Sequence, residues 1–275
     1  MNIPGTKKTK QRIWNTIKLT AAIYALLGIS LYYAQDAILF QATPLAPSHV
    51  YKFKVPYKQV FIPLNKTDSI SLVKFFTNNK QPRGVILYFH GNKQNVEHYQ
   101  RFIDIFLNLG YEVWMPDYFG YGKSTGERTE EKLYSLAYQV QRLAAASFAD
   151  SNIIVYGKSL GTGLAAYVAA NTPNRMLILE TPYYNIPDIF RSYAWMYPLD
   201  NMIQYKIPTY QFLQDVKVPV TIFHGTADGV IRYRSADKLR RFLKPADQFF
   251  TINGGTHHSV RETDVYNKVL DSLLR

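Results

Sequence analysis

Residues 152–170 read NIIVYGKSLGTGLAAYVAA. The opening NIIVY is the apolar, β-branched run of a buried strand, and the Ala-rich LGTGLAAYVAA is a helix. Only Gly157-Lys158-Ser159 lies between them. A strand that turns straight into a helix needs a tight elbow. Gly157 and Gly161 leave room for the turn and for helix packing on strand, and Gly163 keeps the helix start slim. Such an elbow lifts the Ser159 hydroxyl above the sheet at the positive end of a helix, where a nucleophile belongs. A second G-x-S-x-G, Gly122-Lys123-Ser124-Thr125-Gly126, runs on into polar loop, so Ser124 lacks this placement. Neither site is a phosphate-binding P-loop, because Asp117 and Asn152 stand where that motif requires glycine.

Outward from the elbow, strands and helices alternate. Strands are predicted at 59–63, 69–76, 84–89, 111–116, 152–156, 176–179, 218–223 and 248–252. Helices are predicted at 96–108, 130–146 (capped by Thr129), 160–170, 235–243 and 263–274. This rhythm means a mostly parallel sheet with helices on both faces. It breaks at 183–215, where Tyr183, Tyr184, Phe190, Tyr193, Trp195, Tyr197, Tyr205, Tyr210 and Phe212 crowd between two strands. The segment reads as an inserted lid of short helices over the carboxyl ends of the strands. A crossover helix with an aromatic core face is the alternative.

A serine hydroxyl needs a base, and the base needs an orienting acid. Asp228 follows the strand VPVTIF in His224-Gly225-Thr226-Ala227-Asp228, and His257 follows the last strand in Gly254-Gly255-Thr256-His257-His258. The order Ser, acid, His, each on a loop after a strand, brings all three to one edge of the sheet. His258 is the alternative base and Glu180, also at a strand end, the alternative acid. An oxyanion needs two backbone donors. Leu160 supplies one, and Asn92, in His90-Gly91-Asn92 after the third strand, supplies the other. His90 and His224 read as loop-fixing residues, and no metal site or cofactor is implied.

The 275 residues are 47% apolar and 19% charged, the composition of a globular chain of one large domain or two small ones. Without cysteine there is no disulfide, thiolate metal site or cysteine nucleophile. The net charge is +12, to which Lys7, Lys8, Lys10, Arg12 and Lys18 contribute at the start. No basic run interleaved with aromatics follows, which argues against nucleic acid. Residues 19–34, LTAAIYALLGISLYYA, carry no charge. A span wants roughly 20 residues, and Ile13, Trp14 and Ile17 extend the apolar face while Lys18 snorkels. The division expected is a basic segment and transmembrane anchor at 1–40, a Pro-dotted linker at 41–58 and a folded domain at 59–275. A signal peptide cleaved near Gly28-Ile29-Ser30 and a buried helix are the competing readings. The positive-inside rule leaves the N-terminus cytoplasmic and the domain on the far side of a single-pass membrane protein, or secreted if cleavage occurs.

Together HGN at 90–92, DYFGYGKSTG at 117–126, YGKSLGTG at 156–163, HGTAD at 224–228 and GGTHH at 254–258 resemble the α/β-hydrolase superfamily. More narrowly they are similar to its membrane-anchored branch, the "α/β-hydrolase domain-containing" serine hydrolases. The resemblance covers roughly 59–275 and the N-terminal anchor. It implies an α/β-hydrolase fold: a mostly parallel eight-stranded sheet flanked by helices, with a short inserted lid. It implies a Ser159-Asp228-His257 triad, an oxyanion hole at Asn92 and Leu160, and hydrolysis of an ester or thioester through an acyl-enzyme. Serine peptidase, acyltransferase and non-catalytic membrane-anchored binding protein are the alternatives. The aromatic lid suggests an apolar, lipid-like acyl substrate that touches Tyr183 and Trp195.

Overall fold

The computed structural model describes residues 5–275. It opens with α1 (Gly5–Leu39), followed by the short β1 (Gln41–Ala42) and then β2 (Tyr57–Pro63), β3 (Ser69–Phe75), β4 (Gly84–Phe89) and β5 (Lys93–Gln94). Next come α2 (Val96–Tyr99), α3 (Asp104–Asn108), β6 (Tyr111–Pro116), α4 (Glu130–Ala145), β7 (Ile153–Lys158), α5 (Gly161–Asn171) and β8 (Met176–Glu180). The chain ends with α6 (Ile186–Ala194), α7 (Leu199–Met202), α8 (Thr209–Asp215), β9 (Val220–Gly225), α9 (Tyr233–Asp237), β10 (Gln248–Ile252) and α10 (Asp264–Leu274).

Eight strands form one sheet in the order β10-β9-β8-β7-β4-β6-β3-β2. β2 and β3 pair antiparallel, as do β3 and β6, and every other neighbouring pair is parallel. The central strands β4 and β7 are buried along their whole length, which is why they read as unbroken apolar runs. One core lies under α4 and α5, with Leu133, Leu136, Val140 and Leu164 against Leu87 and Val155. The other lies under α3 and α10, with Phe106, Tyr266 and Leu270 among Ile86, Tyr88 and Tyr156. Thr129 caps α4, its side chain accepting from the Lys132 amide.

The helix expected at 96–108 is two short helices joined by a 3₁₀ turn at Gln100–Phe102. Its buried residues Val96, Tyr99, Ile103 and Phe106 keep helical spacing throughout, so the periodicity persists while the hydrogen bonding tightens. The helix expected at 235–243 likewise divides into α9 and a 3₁₀ turn at Lys238–Phe242.

The N-terminal helix is not an independent tail. Tyr24 stacks on Tyr197 at 4.5 Å between ring centroids. Gln35 accepts from the Gln204 amide at 2.6 Å. Asp36 accepts from Arg128 and from the Tyr205 hydroxyl, both at 2.9 Å. Immediately afterwards β1 pairs in parallel with β5, so the first residues of the 41–58 stretch are pinned to the loop that carries Asn92. Away from these contacts α1 leaves Ile17, Ile23, Leu26, Leu27 and Ile29 exposed.

Candidate active site

β7 enters the elbow and α5 leaves it, with Ser159 at the tip. Its φ is 51°, in the left-handed region that costs a side-chain-bearing residue energy and is held only where the surroundings enforce it. Those surroundings are visible. The Ser159 amide donates to the Glu180 carbonyl at 2.9 Å, and the Thr162 amide donates to the Ser159 carbonyl at 2.9 Å. A Cβ on Gly161 would stand 2.0 Å from the Phe89 carbonyl oxygen, so only glycine lets α5 sit this close to β4.

Asp228 and His257 lie on the loops after β9 and β10. His257 Nε2 is 3.0 Å from Ser159 Oγ, and its Nδ1 is 2.8 Å from Asp228 Oδ2. The remaining Asp228 oxygen accepts from the amides of Val230 and Ile231, each at 2.8 Å. Burial alone would raise the Asp228 carboxyl, but the hydrogen bond and charge of His257 hold it below the ordinary carboxylate range. Asp228 therefore stays ionised and fixes the imidazole with Nε2 toward the serine. His258 is exposed, its ring meeting that of His257 edge-on at 5.4 Å. Ser124 is elsewhere: it donates to the Asp117 carbonyl at 2.6 Å and accepts from the Ser71 amide at 2.8 Å, a buried tie between β3 and the loop after β6.

Asn92 and Leu160 flank Ser159 in the wall of one cavity. The Asn92 loop is held by its own carbonyl, which accepts from the Gln41 amide at 2.9 Å and the Tyr121 hydroxyl at 2.6 Å. Its side-chain amide donates to the Leu39 carbonyl at 3.1 Å. His90, stacked on Tyr99, has Nδ1 2.7 Å from the Gly91 carbonyl. His224 has Nε2 2.9 Å from the Ile231 carbonyl. Both rings are fully buried and brace the loops around the site.

Glu180 does not reach the serine. It lies beneath it as the centre of a buried ionic cluster, accepting from Lys158, Arg261 and the Tyr156 hydroxyl. Burial alone would raise this carboxyl too, yet Arg261 and Lys158 hold it far below the ordinary range. Lys158 also points at the His257 carbonyl, 3.5 Å away, and Arg261 follows four residues after that histidine. The cluster thus ties the elbow to the histidine loop. Sequence reading missed it; the lysine beside the serine inside an otherwise apolar strand end was the available signal.

Two chambers meet at Ser159. The first, of about 300 Å³, is walled by uncharged residues, chiefly Ile186, Ile189, Phe190, Tyr193 and Ile231, with Ile38 and Leu39 from the end of α1. Tyr183 lines it and donates its hydroxyl to the Leu160 carbonyl at 3.1 Å. Trp195, expected to touch the substrate, does not line it. It follows the last residue of α6 and is 74% exposed, so Tyr193, one half-turn earlier, takes the wall position instead. Of the other aromatics, Tyr184 stacks on Tyr210 at 4.2 Å and Phe212 packs on Tyr134 and Tyr167. The segment 183–215 therefore divides its rings between cavity and core. The second chamber, of about 480 Å³, is polar and holds His257, His258 and several basic side chains. Among the described residues, no three His, Cys, Asp or Glu converge on a possible metal position.

A buried Asp-His-Ser relay at the carboxyl edge of a doubly covered, mostly parallel sheet defines the hydrolase class of α/β folds. Residues 80–214 match the family model described as "Serine aminopeptidase, S33". Lysophosphatidylserine lipase ABHD12 of Macaca fascicularis is 28% identical over 186 residues, 60% of this chain and 46% of that protein. The human alpha/beta hydrolase domain-containing protein 17B is 27% identical over 198 residues, 68% of this chain and 64% of its own length. The chain thus spans about half the length of the lipases it matches. Among solved structures, the Pyrococcus furiosus esterase PF2001 superposes with a TM-score of 0.64 at 17% identity, over 86% of this chain and 96% of that one. The chain belongs to the α/β-hydrolase superfamily.

Proposed function

We propose that this chain is a serine hydrolase that cleaves an ester or thioester of an apolar acyl group. The observation that carries this reading is the hydrogen-bonded Asp228–His257–Ser159 relay opening onto an uncharged chamber. His257 Nε2 takes the Ser159 proton, and the alkoxide attacks the acyl carbonyl. The tetrahedral oxyanion rests on the amides of Asn92 and Leu160, and the imidazolium protonates the leaving group. Water activated by the same imidazole then hydrolyses the acyl-enzyme. The relatives named lipase and esterase support an ester, whereas the matched family's name raises aminopeptidase activity. An aminopeptidase must hold an ammonium group. The apolar chamber has no carboxylate in its wall, and basic residues outnumber the single carboxylate of the other. Covalent labelling by a fluorophosphonate probe tests the reading: a chain that resists the probe while folded is not a serine hydrolase.

The apolar chamber sets a chain-length preference. Each buried methylene is worth about 0.8 kcal/mol, or up to about fourfold in kcat/KM, until the chamber is full. With p-nitrophenyl esters kept below their micelle concentrations, kcat/KM is expected to rise from acetate to medium chains. Ile189→Trp, which fills the chamber, should cut octanoate hydrolysis far more than acetate hydrolysis. Trp195→Ala should leave the preference in place, because that ring lies outside the wall. Acetate preferred over every longer ester refutes an acyl role for the chamber.

The setting of this hydrolase is a membrane. Residues 7–39 contain a stretch long and apolar enough to cross one. Apolar residues on the outer face of α1 are open to lipid, and Trp195 and Met196, exposed beside Tyr24, suit the membrane surface. The basic residues before the span keep the N-terminus cytoplasmic and place the 183–215 lid and the site on the far side. The protein should stay in the membrane fraction through alkaline carbonate, with its C-terminal domain protease-sensitive only from that far side. Release by carbonate refutes the anchor, and digestion from the cytoplasm refutes the orientation.

A further inference from the structure

Neither the Asn92 amide nor the Leu160 amide donates to another group among the described residues, so both can meet an oxyanion on Ser159. The Leu160 amide is fixed by the elbow itself. The Asn92 amide belongs to a loop that passes beside the nucleophile, where a Cβ on Gly91 would stand 3.5 Å from Ser159 Cβ. That loop is bonded repeatedly to the residues that follow α1. The Leu39 carbonyl accepts from the Asn92 side chain at 3.1 Å, and the Gln41 amide donates to the Asn92 carbonyl at 2.9 Å. The Thr43 amide donates to the Gln94 carbonyl, and the Thr43 carbonyl accepts from the Asn95 side chain, both at 3.0 Å. β5 pairs with β1 and with no other strand among the described residues. Gln94 has a φ of 57°, in the left-handed region, a strain that persists only where neighbours enforce it. The neighbour that does so is β1.

The last turn of α1 is itself fixed just before this segment. Asp36 binds Arg128, whose guanidinium also donates to the Phe119 carbonyl at 2.6 Å and lies 5.7 Å from the centre of the Tyr121 ring. Tyr121 in turn donates its hydroxyl to the Asn92 carbonyl. Two routes therefore run from the end of α1 to the Asn92 carbonyl, one through Gln41 and one through Arg128 and Tyr121. An oxyanion donor acts only at about 2.7–3.1 Å from the developing charge, so its placement decides its worth. Deepening the hydrolase reading above and resting on it, we propose that the end of α1 and the strand after it position the oxyanion hole. Asp36, Leu39 and Gln41 are positioning residues that hold the Asn92 amide on its mark. Turnover then depends on α1 being docked, and not only on the triad and the domain that carries it.

The test uses the full chain in detergent with p-nitrophenyl acetate, whose acyl group is too short to depend on the chamber wall at Leu39. Asn92→Ala removes the side-chain donor to Leu39 and keeps the backbone N–H that meets the oxyanion. Asp36→Ala releases the end of α1 from Arg128 and Tyr205 without touching the loop. Each is expected to lower kcat on the order of tenfold or more, with KM little changed and Tm near that of the parent. The second readout is inhibition by a short alkyl trifluoromethyl ketone. Ser159 Oγ adds to its carbonyl carbon, the proton passes to His257 and the carbonyl oxygen becomes the oxyanion. Its affinity should fall by the same factor as kcat, because both report binding of the tetrahedral state. Asp36→Asn keeps an oxygen for the Tyr205 hydroxyl and should recover part of the loss. Leu26→Ala, on an exposed stretch of the same helix, should change neither readout. If kcat stays within about twofold of the parent in both alanine variants, or falls while the ketone binds as before, the inference is overturned and the hydrolase stands. Should Asn92→Ala fail to fold, Asp36→Ala at its half-buried site decides alone, and loss of the fold in both means a structural role and overturns the inference too. A folded parent that neither hydrolyses the ester nor labels with fluorophosphonate overturns the hydrolase reading itself.

Discussion

Ser159→Ala is expected to abolish fluorophosphonate labelling and to lower kcat on a soluble ester by about 10⁴-fold or more, with the fold unchanged. The size follows from geometry. Ser159 Oγ is the only hydroxyl within hydrogen-bonding reach of His257 Nε2 among the described residues. No neighbouring hydroxyl can replace it. His257→Ala should fall by a similar order, because the alcohol then has no base, and the two losses should not add in the double variant. His258→Ala should be mild by comparison, since that ring is exposed and makes no hydrogen bond to Ser159. Ser124→Ala tests the same point from the other G-x-S-x-G. It removes two buried hydrogen bonds, at a stability cost of about 1–3 kcal/mol, and touches no part of the relay. Loss of labelling in folded Ser124→Ala with retention in Ser159→Ala refutes the assignment of the nucleophile.

Glu180→Gln is expected to be the most damaging isosteric change for stability. The substitution leaves Lys158, 4% exposed, and the guanidinium of Arg261 without their counter-charge. Removing one partner from a buried ionic cluster costs about 3–5 kcal/mol. For a chain of this size that corresponds to a fall on the order of 10 °C in Tm. Lys158→Met paired with Glu180→Gln should recover part of it, because one unpaired cation disappears. The pH dependence has a definite sign. The folded-state Glu180 carboxyl is held below its ordinary value. Its contribution is therefore complete above the unfolded carboxylate pKa and is lost as pH falls through the lower folded one. Asp228, lowered by His257, acts in the same direction. Thermal unfolding between about pH 3 and 7 should show an acid limb that is shallower in Glu180→Gln. A Tm within a degree or two of the parent would mean that the cluster does not support the fold. Because Lys158 and Arg261 also brace the His257 loop, kcat should fall in the same variant while KM for a small ester changes little.

The elements legible from sequence alone were those whose local pattern and tertiary role agree. GVILYF at 84–89, YEVWMP at 111–116 and QFFTI at 248–252 are strands with the expected limits, because strand propensity and turn signals meet at their ends. Ser159 could be told from Ser124 because a strand-to-helix elbow is a property of adjacent residues. The strand-end placement of Asp228 and His257 was legible for a related reason: each follows a strand and a glycine, and parallel strands deliver such loops to one edge.

What the sequence by itself determined was therefore the alternating α/β plan, the elbow and the strand-end positions of the site residues, all encoded within windows of about a dozen residues. Only the tertiary structure decided the rest. It brought Leu39 into the cavity wall and Trp195 out of it, and paired Gln41 with the Asn92 loop. It docked Gln35 against Gln204, 169 positions away, and gathered Lys158, Glu180 and Arg261 under the elbow. These contacts join residues that no local period relates. They form because backbone groups and charges removed from water must find partners wherever the packed chain supplies them.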